Sequence, residues 1–202
     1  EEIKQKSKYF KDKFKLNNKT KIILYFGMFD ERRFVFDFIK EEKNLHDDFI
    51  IVFHGYGHGK ILKKMKKKSD KNKIYFSTDL VNEDKVKDII SSADIGLSFY
   101  KLDNNNDKLT AFSSEKIALY MQSGVPFIAF NNQSYQKLIN KYKCGELIKT
   151  FEQFIPAIER IDKNLESYRD EAFKAYNKFY NFDNNFENIK PELLKLINDR
   201  IK

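Results

Sequence analysis

The stretch LTAFSSEKIALYMQSGVPFIAFN, residues 109–131, decides the fold because it encodes a loop, a helix, a turn and a strand in one run. Ser113 and Ser114 are residue types that cap helix N-termini, and the apolar side chains after them recur at helical spacing. Gly124 falls where a helix normally ends. Residues 125–130 are then apolar enough to form a buried strand.

The helix start in this stretch predicts an anion site. A helix N-terminus at the edge of an α/β sheet presents unpaired backbone N–H groups and the positive end of the helix dipole. Lys116 lies in the predicted first turn, where a positive charge is unfavourable unless an anion neutralises it. We therefore expect Ser113, Ser114, Glu115 and Lys116 to surround an anionic ligand.

Composition limits the class of protein. The chain has 202 residues, of which 41% are hydrophobic, so it can bury a core of its own. A net charge of +8 suits a phosphorylated small molecule, nucleic acid or an anionic membrane face, although such a balance also serves as a solubilising surface.

The single cysteine, Cys144, indicates a reducing compartment. No apolar stretch is long enough to span a membrane, so we expect a cytoplasmic protein, with peripheral association with the inner membrane as an alternative.

Apolar runs alternate with helical patterns along most of the chain. This alternation predicts a Rossmann-like α/β domain, a doubly wound and largely parallel sheet with right-handed crossovers, followed by C-terminal helices. The predicted strands lie at residues 21–26, 49–53, 73–76, 93–98, 125–130 and 146–148. The C-terminal helices are predicted at 151–161, at 165–180 and at 183–202, the last broken by Pro191.

The pattern predicts three parts of unequal size. Residues 1–20 are Lys-rich and predict a solvated leading helix or a linker, and residues 21–186 form the domain itself. Residues 187–202 are predicted to be a helical extension.

Ligands of open parallel sheets bind at the carboxyl ends of the strands, which predicts further site residues. The glycine run at 55–59 and the pair Arg32-Arg33 stand out, and each also has a plain structural interpretation. Glycines close tight turns, and arginines cover solvated helix faces. The candidates after the first three strands are Gly27, Arg32, Arg33, Gly55, Gly57, His58, Ser77 and Leu80.

Two other classes of site are not expected. His54 and His58 have no cysteine or paired carboxylate at ligand spacing, so we predict no metal site. Asp94, Asp103 and Asp107 are interpreted as strand-end and loop residues rather than a catalytic pair. Nucleic acid is not expected as a partner, because the basic residues are spread along the chain and most aromatic residues fall within apolar runs.

The opening stretch resembles a segment of the form P-S-K-x-x-E-Y-M-x-x-G-x-P-x-x-A in the nucleotide-binding half of GT-B glycosyltransferases, of the family 4 or group 1 type. Lys116, the pair Tyr120-Met121, Gly124 and Pro126 keep this register. The resemblance covers residues 21–186 and includes the G-x-G loop at 55–57, the A-D-x-x-L strand at 93–97 and the Y-x-C-G turn at 142–145.

The resemblance implies a C-terminal domain that binds a nucleoside diphosphate sugar, UDP- or GDP-linked, and needs no metal or other cofactor. Such enzymes transfer the sugar to a glycan or lipid-linked acceptor, as in bacterial surface polysaccharide synthesis. By this resemblance Lys116 with Arg32 or Arg33 would hold the diphosphate, amides of 113–115 and the glycine loops would assist, and backbone groups of 77–80 would meet the base. An N-terminal acceptor domain would be a separate part, and this domain by itself is expected to be inactive.

Several positions depart from the family pattern: Ser114 and Glu115 replace its proline and serine, Met28 replaces a basic residue, and two glutamates are absent. Retaining members carry two glutamates that flank the donor loop, and by register these positions are Ala111 and Leu119. Three explanations remain open: donor binding has diverged, the register slips by a few residues, or the domain is a non-catalytic module that binds a nucleotide or a partner protein.

Overall fold

The computed structural model describes residues 5–103 and 105–201, and of residues 199–201 it describes the backbone only. The first four residues of the expected leading segment and Lys202 of the expected extension lie outside the described residues, as does Asn104.

Within the described residues, six parallel strands form one sheet in the order β3-β2-β1-β4-β5-β6. This confirms the predicted Rossmann-like architecture. The order reverses between β1 and β4, and such a reversal opens a crevice at the carboxyl ends of the two strands. The strands are β1 Lys21–Phe26, β2 Phe49–His54, β3 Ile74–Ser77, β4 Ile95–Leu97, β5 Phe127–Phe130 and β6 Gly145–Ile148.

Helices connect the strands as the alternating pattern predicts, and within residues 105–201 three of them follow the last strand. Short 3-10 turns lie at Glu31–Arg33, Glu42–Asn44, Thr110–Phe112 and Phe151–Gln153. The helices are α1 Tyr9–Phe14, α2 Val35–Glu41, α3 Gly59–Lys68, α4 Glu83–Ser91, α5 Asn105–Lys108, α6 Glu115–Gln122, α7 Gln133–Lys141, α8 Phe154–Lys163, α9 Leu165–Phe179 and α10 Phe182–Ile201.

The core lies on both faces of the sheet. Successive side chains of a strand point to opposite faces, and in β1 Ile22 and Leu24 pack into one apolar cluster while Ile23 and Tyr25 pack into another. All six residues of β2 are buried. Strands covered on both faces need continuous apolar runs, which is why these strands could be recognised in the sequence.

Two expectations about the chain ends are corrected. The leading segment is not simply solvated, because Phe10 of α1 is fully buried and its ring centroid lies 5.9 Å from that of His54. Pro191 does not break the last helix, since α10 continues through it. A proline removes one intrahelical hydrogen bond, and on this exposed stretch water can bond the carbonyl that is released.

The helix in the deciding stretch ends as predicted. Gly124 adopts a left-handed conformation with φ +60. The N–H of Val125 donates to the carbonyl of Tyr120 at 2.9 Å, and the N–H of Gly124 donates to that of Met121 at 3.1 Å. These two bonds form a Schellman cap, which turns the chain directly into β5.

Gly124→Ala should lower the free energy of unfolding by about 1–3 kcal/mol. A Cβ at this position would lie 2.5 Å from the Phe173 ring, and φ +60 disfavours any side chain. Urea denaturation followed by circular dichroism measures the change. Gly59→Ala is the matched control, because a Cβ there meets nothing within 4 Å and the residue begins α3. Equal stability of the two variants would contradict this account of the turn.

Candidate functional site

The candidate site lies in the crevice at the carboxyl ends of β1 and β4. Gly27 ends β1 with φ +123, and the Nζ of Lys116 lies 3.9 Å from the position that a Cβ on Gly27 would take. Lys116 comes from the first turn of α6, so its side chain spans from this helix to the turn after β1. The lysine predicted to hold an anion is therefore at the edge where ligands of such sheets bind.

The glycine turns after β1 and β2 pack directly against each other. Gly55 has φ +144, and a Cβ on it would lie 2.0 Å from the carbonyl oxygen of Gly27. A Cβ on Gly57 would lie 2.8 Å from the Cβ of Phe29. Close approach of the Gly27 backbone thus explains Gly55 without a ligand, and packing against Phe29 explains Gly57. The donor-binding role of both glycines stays a prediction.

Arg32 and Arg33 lie in the 3-10 turn after β1, where the N–H of Arg32 donates to the carboxylate of Asp30 at 2.7 Å. Their side chains reach the loop after β4: an Arg32 nitrogen lies 3.3 Å from a carboxylate oxygen of Asp103, and an Arg33 nitrogen lies 3.3 Å from one of Asp107. Both arginines line a cavity of about 500 Å³ together with Met28, Asp30, Asn105, Asn106 and Asp107. Two aspartates thus already contact the arginines that are predicted to bind the diphosphate.

Lys116 differs from the arginines because no carboxylate pairs with it among the described residues. Its Nζ lies over two aromatic rings, 5.2 Å from the Tyr25 centroid and 5.4 Å from the Tyr100 centroid. The side chain is only partly exposed. Desolvation, with a smaller contribution from the Arg33 charge, lowers the pKa of Lys116 to about 7. An anion at this position would stabilise the protonated form.

The amino end of α6 is open. Ser114 is the N-cap residue by position, but its side chain makes no capping bond; its hydroxyl instead shares a 3.1 Å hydrogen bond with the hydroxyl of Tyr100. Ser113 donates to the carbonyl of Leu109 at 3.2 Å, and Glu115 is exposed. The helix therefore begins where the sequence predicts, without the predicted cap, and the N–H groups of its first turn stay available to a ligand.

The remaining predicted residues lie at other places along the edge. His58 is exposed at the start of α3 and lines a neighbouring cavity of about 560 Å³ with Arg32. Ser77 is buried, and its hydroxyl contacts the Nζ of Lys13 at 3.0 Å and the Nδ1 of His54 at 2.9 Å. Leu80 is fully exposed. The structure thus brings Gly27, Arg33, Ser114 and Lys116 together, and Ser77 lies at the end of β3, where its carbonyl accepts from the N–H of Gly55 at 3.0 Å.

Sequence reasoning missed Tyr100 and treated Asp107 as an ordinary loop residue. Tyr100 contacts Arg33, Lys116 and Ser114, three of the predicted residues. A usable signal was present, because Tyr100 closely follows β4 just as Gly27 follows β1, and both strands border the crevice.

Metal-ligating clusters and membrane-spanning helices are two further features that bear on function in the part of the chain that the structure describes. There, no group of three or more His, Cys, Asp and Glu side chains could hold a metal ion. Burial lowers the pKa of His54 to about 4, so this histidine is neutral at pH 7. In the same part of the chain, no helix has the length and apolar character needed to cross a membrane.

No protein-family model matches the sequence, and no curated protein sequence matches it. Solved structures do match. The C-terminal domain of LpcC, a glycosyl transferase group 1 family protein from Francisella tularensis, has a TM-score of 0.63 and 16% identity, covering 87% of this chain and 91% of that domain. HepE from Anabaena, solved with UDP and glucose, has a TM-score of 0.72 and 11% identity, covering 92% of this chain and 50% of HepE.

A third structure is WaaG, a glycosyltransferase involved in lipopolysaccharide biosynthesis, with a TM-score of 0.64 and 14% identity over 89% of this chain and 48% of WaaG. This chain therefore spans about half the length of HepE and WaaG. At these identities the similarity shows the fold, that of the C-terminal half of a GT-B glycosyltransferase, and confirms the fold expected from the sequence.

Lys116→Met should raise the free energy of unfolding at pH 6 by ~1–3 kcal/mol. The pKa of Lys116 is about 7 in the folded chain and near 10.5 when unfolded, so the unfolded state binds more protons between these values. The free energy of unfolding of the wild type is therefore lower than that of the variant by the full amount below pH 7, and the difference disappears as the pH rises to 10.5. Urea denaturation across this range measures it, with Lys137→Met at an exposed lysine as control. A pH-independent difference would contradict the assignment.

Proposed function

We propose that this chain is the donor-binding domain of a glycosyltransferase that takes its sugar from a UDP- or GDP-linked donor. Lys116 carries the proposal. It is a desolvated cation at the carboxyl edge of the sheet, beside the open amino end of α6 and without a carboxylate partner among the described residues. This combination favours a doubly charged anion such as a diphosphate.

The same residues can assist bond cleavage. When the bond between the sugar and the diphosphate breaks, negative charge develops on the departing diphosphate. Lys116 and the first amides of α6 are positioned before the reaction to stabilise that charge, and in a partly dehydrated crevice such stabilisation is strong. Arg33 can add to it once the diphosphate displaces Asp107. No metal ion is needed for this step in the proposal, because the cations belong to the protein.

The two missing glutamates limit the proposed chemistry. Ala111 is fully buried, and Leu119 packs against the core cluster that contains Tyr120. Both positions therefore contribute packing, and neither can supply a carboxylate to the sugar or the ribose. We infer that this chain binds and stabilises the donor diphosphate and that proton transfer, where the reaction needs it, is supplied by other groups.

The wider role is also part of the proposal. We propose that a second domain, of the kind that makes up the other half of HepE and WaaG, provides the acceptor site, and that the acceptor is a glycan or lipid-linked sugar of a bacterial surface polysaccharide. Support comes from the fold shared with WaaG, which is involved in lipopolysaccharide biosynthesis. The proposed compartment is the cytoplasm, including its membrane face, since Cys144 is a free, buried thiol.

A second candidate function is a non-catalytic domain that binds a nucleotide or a partner protein. The apolar packing at Ala111 and Leu119 favours it, because a domain without catalysis would have no use for carboxylates there. Both functions include nucleotide binding, and an acceptor-dependent release of UDP or GDP by the complete enzyme separates them.

Either UDP or GDP, and the corresponding sugar, should raise the melting temperature of the chain, while a short oligonucleotide should not. Lys116→Met should abolish most of the shift, and binding should weaken as the pH rises from 6 to 8.5, because the pKa of Lys116 is about 7 and the neutral amine attracts no diphosphate. Differential scanning fluorimetry and calorimetry measure both effects. Lys137→Met is again the control, and a full shift in Lys116→Met would place the site elsewhere.

Asp107→Asn should tighten binding of the same diphosphate by roughly three- to tenfold, since the Asp107 carboxylate occupies Arg33, which the ligand requires. Calorimetric titration provides the dissociation constant. Asp88→Asn, which removes an equal charge from an exposed ion pair on α4, controls for net charge. Weaker binding in Asp107→Asn would mean that Asp107 positions Arg33 instead of competing for it.

A further inference from the structure

Tyr100 contacts three separate parts of the candidate site. The Cζ of Arg33 lies 4.3 Å from the centroid of its ring, and the Nζ of Lys116 lies 5.4 Å from it. Its hydroxyl shares a 3.1 Å hydrogen bond with that of Ser114. One half-buried side chain after β4 thus joins the turn after β1 to the first turn and the N-cap of α6.

The Tyr100 ring offsets part of the repulsion between the two cations of this crevice. Arg33 and Lys116 are close enough for the arginine charge to lower the pKa of the lysine. A carboxylate between them would reduce the repulsion but would also occupy the place of an anionic ligand. The face of an aromatic ring attracts cations through its quadrupole and carries no net charge. Tyr100 therefore offsets part of the repulsion without neutralising Lys116, whereas Arg33 is also paired with Asp107.

The hydroxyl of Tyr100 has a second effect. A serine at an N-cap normally accepts a hydrogen bond from an N–H group in the first turn of its helix. Ser114 makes no such bond, and its hydroxyl is paired with Tyr100 instead. The first-turn amides are thereby left open at the end of α6 that carries Lys116.

We propose that Tyr100 is the positioning residue of the diphosphate site: its ring holds Arg33 and Lys116 side by side, and its hydroxyl keeps Ser114 from capping α6. This inference rests on the proposed function for the identity of the ligand. Tyr100 itself need not touch the diphosphate, because it acts through the three residues that it contacts.

Tyr100→Leu and Tyr100→Phe test the ring and the hydroxyl separately. Tyr100→Leu should weaken binding of UDP or GDP roughly tenfold, since both cations lose the ring. Tyr100→Phe should weaken it about threefold, because Ser114 is then free to cap the helix. This smaller effect should disappear in a Ser114→Ala background, where no hydroxyl is left to compete for the amides.

The control variant is Tyr168→Leu. Tyr168 is a half-buried tyrosine whose hydroxyl bonds Glu146 of β6, away from the crevice, so its replacement should leave the dissociation constant unchanged. Circular dichroism verifies that each variant is folded. Wild-type affinity in both Tyr100 variants would overturn the inference.

An NMR titration of Lys116 gives a readout that a merely structural role would not change. In Tyr100→Leu the pKa of Lys116 should fall further, by at least about half a unit, because an apolar side chain keeps the site dehydrated but removes the quadrupole. If the wild type binds neither UDP nor GDP, the proposed function fails, and this titration still decides the role of Tyr100. A lower pKa of Lys116 supports that role, and an unchanged one overturns it.

Discussion

Burial of both faces of the sheet is the constraint on which the rest of this structure depends. Alternate side chains of β1 enter two different apolar clusters, so helices must cover both sides of the strands. Parallel strands connected by such helices bring all their carboxyl ends to one edge. Residues far apart in the chain, Gly27, Tyr100 and Lys116 among them, meet there as a consequence.

Charge at that edge is distributed unevenly. Arg32 and Arg33 are each paired with an aspartate of the loop after β4, whereas the contacts of Lys116 are with the rings of Tyr25 and Tyr100. A carboxylate neutralises the charge of a cation, whereas an aromatic ring stabilises the cation and leaves it charged. A cation that contacts only rings therefore attracts an anionic ligand more strongly. In the proposed function Lys116 is therefore the main contact for the anion, and the arginines contribute once the ligand displaces their aspartates.

Packing accounts for several features that a family pattern would assign to ligands. Position 55 requires glycine because the backbone of Gly27 lies against it and leaves no room for a Cβ. Ser77 is buried, and its hydroxyl contacts Lys13 and His54. Ala111 and Leu119 fill apolar space at the two positions where the resemblance to GT-B glycosyltransferases leads one to expect glutamates. The domain thus has the fold of the C-terminal half of a GT-B glycosyltransferase, and in the proposed function its chemistry lies at the diphosphate.

The amino-acid sequence by itself determined the order of strands and helices, the parallel sheet and the position of Lys116 at a helix start. These follow from local signals: continuous apolar runs for strands buried on both faces, helical spacing, and the turn at Gly124. A proline in the last helix misled the same reasoning, because the exposed surface of α10 tolerates one lost hydrogen bond.

Only the tertiary structure decided which charges are paired and which side chain contacts Arg33, Lys116 and Ser114 together. Tyr100 lies 67 positions after Arg33 and 16 before Lys116, and Asp107 lies 74 positions from Arg33. Contacts over such separations depend on how the strand ends are brought together, and the sequence indicates only that Tyr100 closely follows β4. For that reason the sequence could locate the lysine, and the fold alone could show that it has aromatic neighbours and lacks a carboxylate partner among the described residues.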